Sequence, residues 1–378
     1  VTDVRYLNEV GAEIVLEAGA AELIVGEPQL DLATTFSVAE VDAGDLPRVT
    51  ITATNNSTAT AYNPRFLDDL TGVELTYRGD IQGVNPPTDD IITIGPNAPI
   101  FSWPPGLAIA PTQSISFSFA VEVETTVEPE RDLSNTIAAD WTSLPTQTTA
   151  LNPSGRVGPN GDATGMRNGA LPPAGDALND YESAVTESVP VAAVAVSKTD
   201  LVPTQAPEIG SHRDFQIEIL LPEGITQDIV VNDALNSGSV GYILAHNATY
   251  DITYEFDGLI DINSAPPDEA AFTAVPIDNT SGTATWSIGT VRTFSEDDLT
   301  SMAITPAIRI RYSARINNDL ATNAGSTLQN TAEVVSIHGE TGLPTSVSNA
   351  SAVVTATESS VTATKVLSNA TPGKLPTD

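Results

Sequence analysis

The 378-residue chain has no cysteine, which excludes both disulfides and thiolate metal sites. Lysine is almost missing too, with only Lys198, Lys365 and Lys374 present. Basic residues number 15 against 49 acidic ones, giving a formal net charge of -34. Such a surface repels phosphate, which argues against nucleic acid or anionic membranes as partners. It suits surroundings rich in salt or divalent cations, which screen or bridge carboxylates. No apolar run reaches the roughly 18 residues of a membrane-spanning helix. Helical periodicity is nearly absent. His212, His246 and His338 are scattered, with no H-E-x-x-H spacing, no G-x-S-x-G elbow and no phosphate-binding glycine loop. Catalysis on an external substrate is therefore not expected. The chain begins at Val1 without an initiator methionine or signal peptide, and reads as a processed or excerpted part of a longer precursor.

An apolar fraction of 40% is ample for packed cores, and the length predicts two or three domains. Short alternating stretches bounded by Gly, Pro, Asn and Asp recur throughout, as strands do. Examples are residues 48–54, 115–123, 214–220 and 308–316. In the last, Ile308, Ile310, Tyr312, Ala314 and Ile316 share one face, and Arg309, Arg311 and Arg315 the other. Outward arginines of this kind make cross-strand pairs with carboxylates, or form a docking patch for an acidic neighbour.

The pattern repeats. Leu30, Leu32 and Thr34 correspond to Val194, Val196 and Lys198, and again to Val361, Ala363 and Lys365. Downstream, F-L-D-D-L matches V-N-D-A-L, aligning Asp68 with Asp233, and L-S-N-T-I-A matches L-Q-N-T-A-E, aligning Asn135 with Asn330. The period is roughly 165 residues, a usual domain size. The expected organisation is two full repeats, 27–190 and 191–358. Residues 1–26 read as closing strands of a preceding domain or a donor segment. Residues 359–378 read as the opening strand of a following domain or a second donor segment.

A strand ending in K-T, a later D-x-L and an N-T-A before a final strand resemble two related groups. These are the conserved-repeat domains of large prokaryotic surface proteins and the isopeptide-forming domains of fimbrial proteins. N-T-I-A-A-D-W-T-S-L-P (135–145), the Gly/Asp-rich insert and N-D-Y-E-S-A-V (179–185) resemble the latter most. The resemblance spans nearly the whole chain. It implies an all-β architecture of tandem Ig-like β-sandwich domains with long loop inserts, in an extracellular or cell-surface setting. In some members it implies a self-made Lys–Asn bond beside an acidic residue.

Strand parity bears on that implication. Lys198 falls on the face of Val194 and Val196, Asp233 on that of Val231 and Leu235, and Asn330 on that of Leu328, Ala332 and Val334. All three are thus expected to point inward. Burial would push the lysine toward its neutral, nucleophilic amine and the aspartate toward its protonated form. The amine can then attack the Asn330 carboxamide while Asp233 shuttles the proton, tying the first strand to the last. The alternative is that Asn330 bonds strand-end backbone, Asp233 caps a turn and Lys198 snorkels at the rim. In repeat one the lysine position is Thr34, so no amide can form there. Lys365 would need partners beyond Asp378 or in another chain.

The insert 152–180 is glycine-rich and offers Asn160, Asp162, Asp176 and Asp180 as hard oxygen donors. It reads as a calcium loop without EF-hand spacing, or as a solvated loop; no cofactor is required by anything else in the chain. The clusters Asp89–Asp90 and Glu296–Asp297–Asp298 read as solvated. Asn56, Asn247, Asn349 and Asn369 begin glycosylation triplets. Trp103 and Trp286 are expected in cores. The function expected is a non-enzymatic structural protein of the cell surface. It would be a stalk, or a filament subunit that is its own partner, assembling head to tail by strand donation. The alternative is an adhesin binding glycan or protein through its inserts, for which Phe101, Trp103 and Tyr181 are the available aromatics.

Overall fold

A computed structural model describes residues 4–7, 13–16, 26–90, 97–104, 107–142, 181–237, 240–294, 305–318, 322–351 and 353–358. It is all-β, and the chain forms two compact units, each a β-sandwich. The first comprises Val1–Ala39, Leu46–Glu122 and Ser134–Val189. The second comprises Glu40–Asp45, Val123–Leu133 and Pro190–Asp378, so it includes two short segments from earlier in the chain.

At the N-terminus β1 (Val4–Leu7) and β2 (Glu13–Leu16) pair with each other as an antiparallel ribbon. The strands of the first sandwich are β3 (Leu30–Phe36), β4 (Arg48–Asn55), β5 (Ala61–Asp68), β6 (Leu75–Gly83), β7 (Thr88–Asp90), β8 (Ile100–Ser102), β9 (Ala108–Ile109), β10 (Ser114–Val123), β11 (Asp132–Thr142) and β12 (Glu182–Pro190). One sheet runs β3-β4-β10-β6, the other β12-β11-β5-β8-β7, with β9 also on β5. Alternation builds the interior: along β4 every second residue is buried, placing Val49, Ile51 and Ala53 inside. Phe66 of one sheet meets Phe117 of the other edge-to-face at 5.4 Å.

The second sandwich has β13 (Ala195–Asp200), β14 (His212–Leu220), β15 (Ile225–Ala234), β16 (Asn236–Ser237), β17 (Val240–Ala245), β18 (Thr253–Asp257), β19 (Leu259–Ile262), β20 (Thr283–Thr293), β21 (Ala307–Ile316), β22 (Thr327–Leu328), β23 (Thr331–Ile337), β24 (Pro344–Ala350) and β25 (Val354–Thr355). Its sheets run β13-β14-β21-β17-β16, with β18 on β21, and β19-β20-β15-β23-β24. Phe215, Ile217 and Ile310 of the first sheet pack against Val231, Trp286 and Val334 of the second in one core.

On β21 the inward set Ile308, Ile310, Tyr312, Ala314 and Ile316 is buried as its alternation dictates. On the outer face Arg309 pairs with Glu218 at 2.7 Å and with Asp257, and Arg311 pairs with Glu255 at 2.5 Å. Register explains these pairs: Glu218 and Glu255 stand opposite Arg309 on either side.

The two sandwiches share a register. Asp68 lies opposite Ile137, two residues past Asn135, and Asp233 lies opposite Ala332, two residues past Asn330. Thr34 lies opposite Ile51, and Lys198 opposite Ile217. One expectation needs correcting. Asn330 stands before β23, which is followed by β24 and β25, so it does not belong to the last strand. The N-T-A pattern marks the entry to β23; β24 returns beside it as a hairpin whose polar, exposed residues carry no strong apolar alternation.

Candidate functional site

Lys198, Asp233 and Asn330 converge inside the second sandwich, brought there by different sheets. Lys198 comes from edge strand β13, and its backbone N–H, which an edge leaves open, donates to Asn349 Oδ1 at 3.1 Å. Asp233 is near the end of β15, and Asn330 immediately precedes β23, both strands of the facing sheet. The side chains of Lys198 and Asp233 are wholly buried, as is Asn330.

Lys198 Nζ donates to Asp233 Oδ1 at 2.8 Å. A fourth residue completes the cluster: Tyr312 on β21. Lys198 Nζ also donates to the Tyr312 hydroxyl, which in turn donates to Asp233 Oδ2. Asn330 Nδ2 donates to the Tyr312 hydroxyl at 2.7 Å and lies 3.4 Å from Asp233 Oδ2. Amine and carboxamide therefore meet on one hydroxyl. The ammonium also lies 4.7 Å from the Tyr312 ring centroid and 5.2 Å from that of Phe215. Tyr312 escaped the sequence reading because its alternation made it an ordinary core residue. A tyrosine in an otherwise aliphatic inward row was the signal, since a buried hydroxyl must find a polar partner.

Burial weakens the hold of the cluster on the lysine's proton. Burial pulls the Lys198 amine down to about 8, against the pull of Asp233, which favours the charged form. Tyr312 is held well above its ordinary value by burial and by the Asp233 charge, so it stays a donor. Among the described residues Asn330 Oδ1 has no hydrogen-bond partner although it is buried. A half-turn of the carboxamide exchanges Oδ1 with Nδ2 and aims the carbonyl oxygen at Tyr312 and Asp233. The cluster can thus hold a neutral amine, a proton carrier and a polarised carbonyl together.

The first sandwich keeps the frame and lacks the reagents. Thr34, Asp68 and Asn135 are all buried. The register that matches Lys198 to Thr34 also matches Tyr312 to Phe119, so nucleophile and bridging hydroxyl are missing together. Asn135 Nδ2 reaches Asp68 Oδ2 only at 3.5 Å, and Thr34 Oγ1, Asp68 Oδ1 and Asn135 Oδ1 have no partner among the described residues. Burial pushes the Asp68 carboxyl up to about 8; the Asn135 contact lowers it, and the nearby Asp69 charge raises it.

Other candidates stand elsewhere. Asn160, Asp162, Asp176, Asp180, Lys365 and the Glu296–Asp298 cluster lie outside the described residues. Among the described residues no group of three or more His, Asp or Glu could hold a metal, and no helix is long and apolar enough to cross a membrane. Asp89 is exposed and accepts a hydrogen bond from Tyr77 at 2.7 Å. The aromatics considered for a binding loop do not form an exposed platform. Phe101 is fully buried, Tyr181 is buried and stacked on Trp141, and half-buried Trp103 packs edge-on to Phe66 and Phe117. Trp286 is in the core.

No protein-family model and no curated protein matches the sequence. Solved structures do. The C-terminal domain of the Streptococcus pyogenes antigen I/II-family protein AspA matches over 87% of this chain and 99% of its own, at 10% identity and a TM-score of 0.31. BcpA, the major pilin subunit of Bacillus cereus, matches over 86% and 69%, at 13% identity and a TM-score of 0.28. The collagen adhesin CNA from S. aureus matches over 87% and 95%, at 13% identity and a TM-score of 0.24. The functional reading rests on the cluster itself.

The buried Asp68 carboxyl of the first sandwich ties its stability to pH. Folded Asp68 holds a proton that the unfolded chain releases above its ordinary value of 3.8. Its contribution is intact below that pH and is lost as the pH rises toward about 8. Urea denaturation should show the first sandwich weakening across this window by up to about 6 kcal/mol. Asp68→Asn should flatten the slope and be the more stable form at pH 8. A parent protein equally stable at pH 5 and pH 8 would show that Asp68 does not titrate this way.

Proposed function

We propose that the chain is a non-enzymatic structural protein of the cell surface whose second sandwich closes its own Lys198–Asn330 amide. The observation behind this reading is the fully buried cluster in which Lys198, Asp233 and Asn330 share the Tyr312 hydroxyl. An inward lysine is costly to keep charged, and the bond removes that cost by consuming the amine. Starting from the neutral amine, Asp233 takes a proton from Nζ as Nζ bonds to Asn330 Cγ, then returns it to Nδ2. The Cγ–Nδ2 bond breaks and one ammonia leaves. Asp233 and Tyr312 end as they began, so the chemistry is a single turnover.

The product joins β13 of one sheet to the entry of β23 in the other. It closes the long loop between residues 198 and 330, which by chain entropy alone is worth roughly 5 kcal/mol. In a chain without cysteine this replaces the covalent staple that extracellular proteins ordinarily use. Resistance to force and proteolysis is the property such a staple provides, and it suits a stalk or filament subunit. Self-association through the terminal segments remains part of the proposal. Here β1 and β2 pair with each other, so donation would require that ribbon to open. Electron microscopy should show filaments that disappear when residues 1–26 or 359–378 are removed; filaments surviving both truncations would rule out strand donation.

Intact mass tests the bond. The parent chain should be lighter than its sequence by about 17 Da, the ammonia lost. Lys198→Gln and Asn330→Ala should show full mass, while Tyr312→Phe should form the bond more slowly. Installing the missing reagents in the first sandwich by Thr34→Lys with Phe119→Tyr should produce a second loss of the same size. An unshifted parent mass would eliminate the cross-link.

A further inference from the structure

The third arginine on the outer face of β21 departs from its neighbours. Register places Arg315 between His212 on β14 and Ile243 on β17, so neither cross-strand position holds a carboxylate. Among the described residues its guanidinium makes no hydrogen bond or ion pair, in contrast to those of Arg309 and Arg311. An unneutralised guanidinium in a chain of net charge -34 is conspicuous, because acidic partners abound. It also lines a cavity of about 300 Å³, at the small end of ligand-sized pockets.

The other walls have matching chemistry. His212 and Tyr250 stack nearly parallel, with centroids 4.0 Å apart, making a flat aromatic wall. His212 is lowered by burial first and then by the Arg315 charge, while Asp214 raises it, and Arg315 carries the fixed positive charge there. Asn247 and the Asp278–Asn279 pair supply amide and carboxylate groups. Asp278 Oδ1 already accepts from the His246 N–H at 2.8 Å and Oδ2 from Asn279 Nδ2 at 2.8 Å. These hydrogen bonds keep its carboxylate charged on the cavity wall, disfavouring a multiply charged anion while leaving acceptor capacity for ligand hydroxyls.

We propose that this cavity on the outer face of the second sandwich binds a carboxylate-bearing sugar residue. Arg315 would hold the carboxylate through its planar fork, Tyr250 would cover the C–H face of the ring, and Asn247 and Asp278 would bond its hydroxyls. None of these residues belongs to the Lys198 cluster, so the site stands or falls independently of the cross-link.

Three probes separate its elements in ligand-observed NMR titrations of the whole chain: sodium glucuronate, methyl glucoside and N-acetyl-aspartate amide. Glucuronate should bind saturably, and each of the other two at least roughly tenfold more weakly, since each lacks one half of the recognition. Arg315→Gln should weaken glucuronate by about tenfold or more, as should Tyr250→Ala, with thermal melting unchanged. Arg309→Gln, on the same face but within its ion pairs, should leave binding intact. Glucuronate that fails to saturate, or that binds Arg315→Gln as well as the parent, would overturn the proposal. So would N-acetyl-aspartate amide binding as tightly as glucuronate, which would mark an acidic-peptide site, or methyl glucoside doing so, which would mark a neutral one.

Discussion

A lysine amine sealed between two β-sheets is the constraint around which the second sandwich is arranged. An ammonium in a dry interior costs several kcal/mol unless charge and hydrogen bonds surround it. Asp233 supplies the charge, Tyr312 the second hydrogen bond, and the Phe215 and Tyr312 rings the polarisable walls. These groups satisfy the lysine, yet the same arrangement also prepares its reaction. A carboxylate close enough to balance an ammonium is close enough to take its proton. The hydroxyl that accepts from the lysine also accepts from the carboxamide it would attack.

The first sandwich shows the cost of keeping half of this arrangement. Thr34 and Phe119 are smaller or apolar solutions at the lysine and tyrosine positions, so no charge is buried there. Asp68 and Asn135 nevertheless remain, poorly bonded, with orphan oxygens. A buried carboxyl without a cation is tolerated only by holding its proton, which ties the stability of that unit to pH. One fold thus carries two versions of a polar core, one provided with a nucleophile and one without.

Much of this was legible from period-two alternation. Parity alone placed Lys198, Asp233 and Asn330 inside, because a strand offers each side chain only two directions. It could not supply Tyr312, since alternation reports which way a residue faces and not what it meets across the sandwich. It likewise put Arg309, Arg311 and Arg315 outward without separating the paired from the unpaired. That distinction is set by register against β14, β17 and β18, which depends on turn lengths and bulges. The position of β23 ahead of β24 was missed for a related reason. A hairpin of exposed Ser, Thr and Asn residues carries no apolar rhythm to announce it.

The decisive measurement is tandem mass spectrometry of a protease digest of the folded, then denatured, whole chain. A single branched peptide joining Lys198 to Asn330 through an amide is expected, with no such branch at Asn135. Recovery of the two segments only as separate linear peptides, each with its side chain intact, would contradict the cross-link and leave the cluster a buried ion pair.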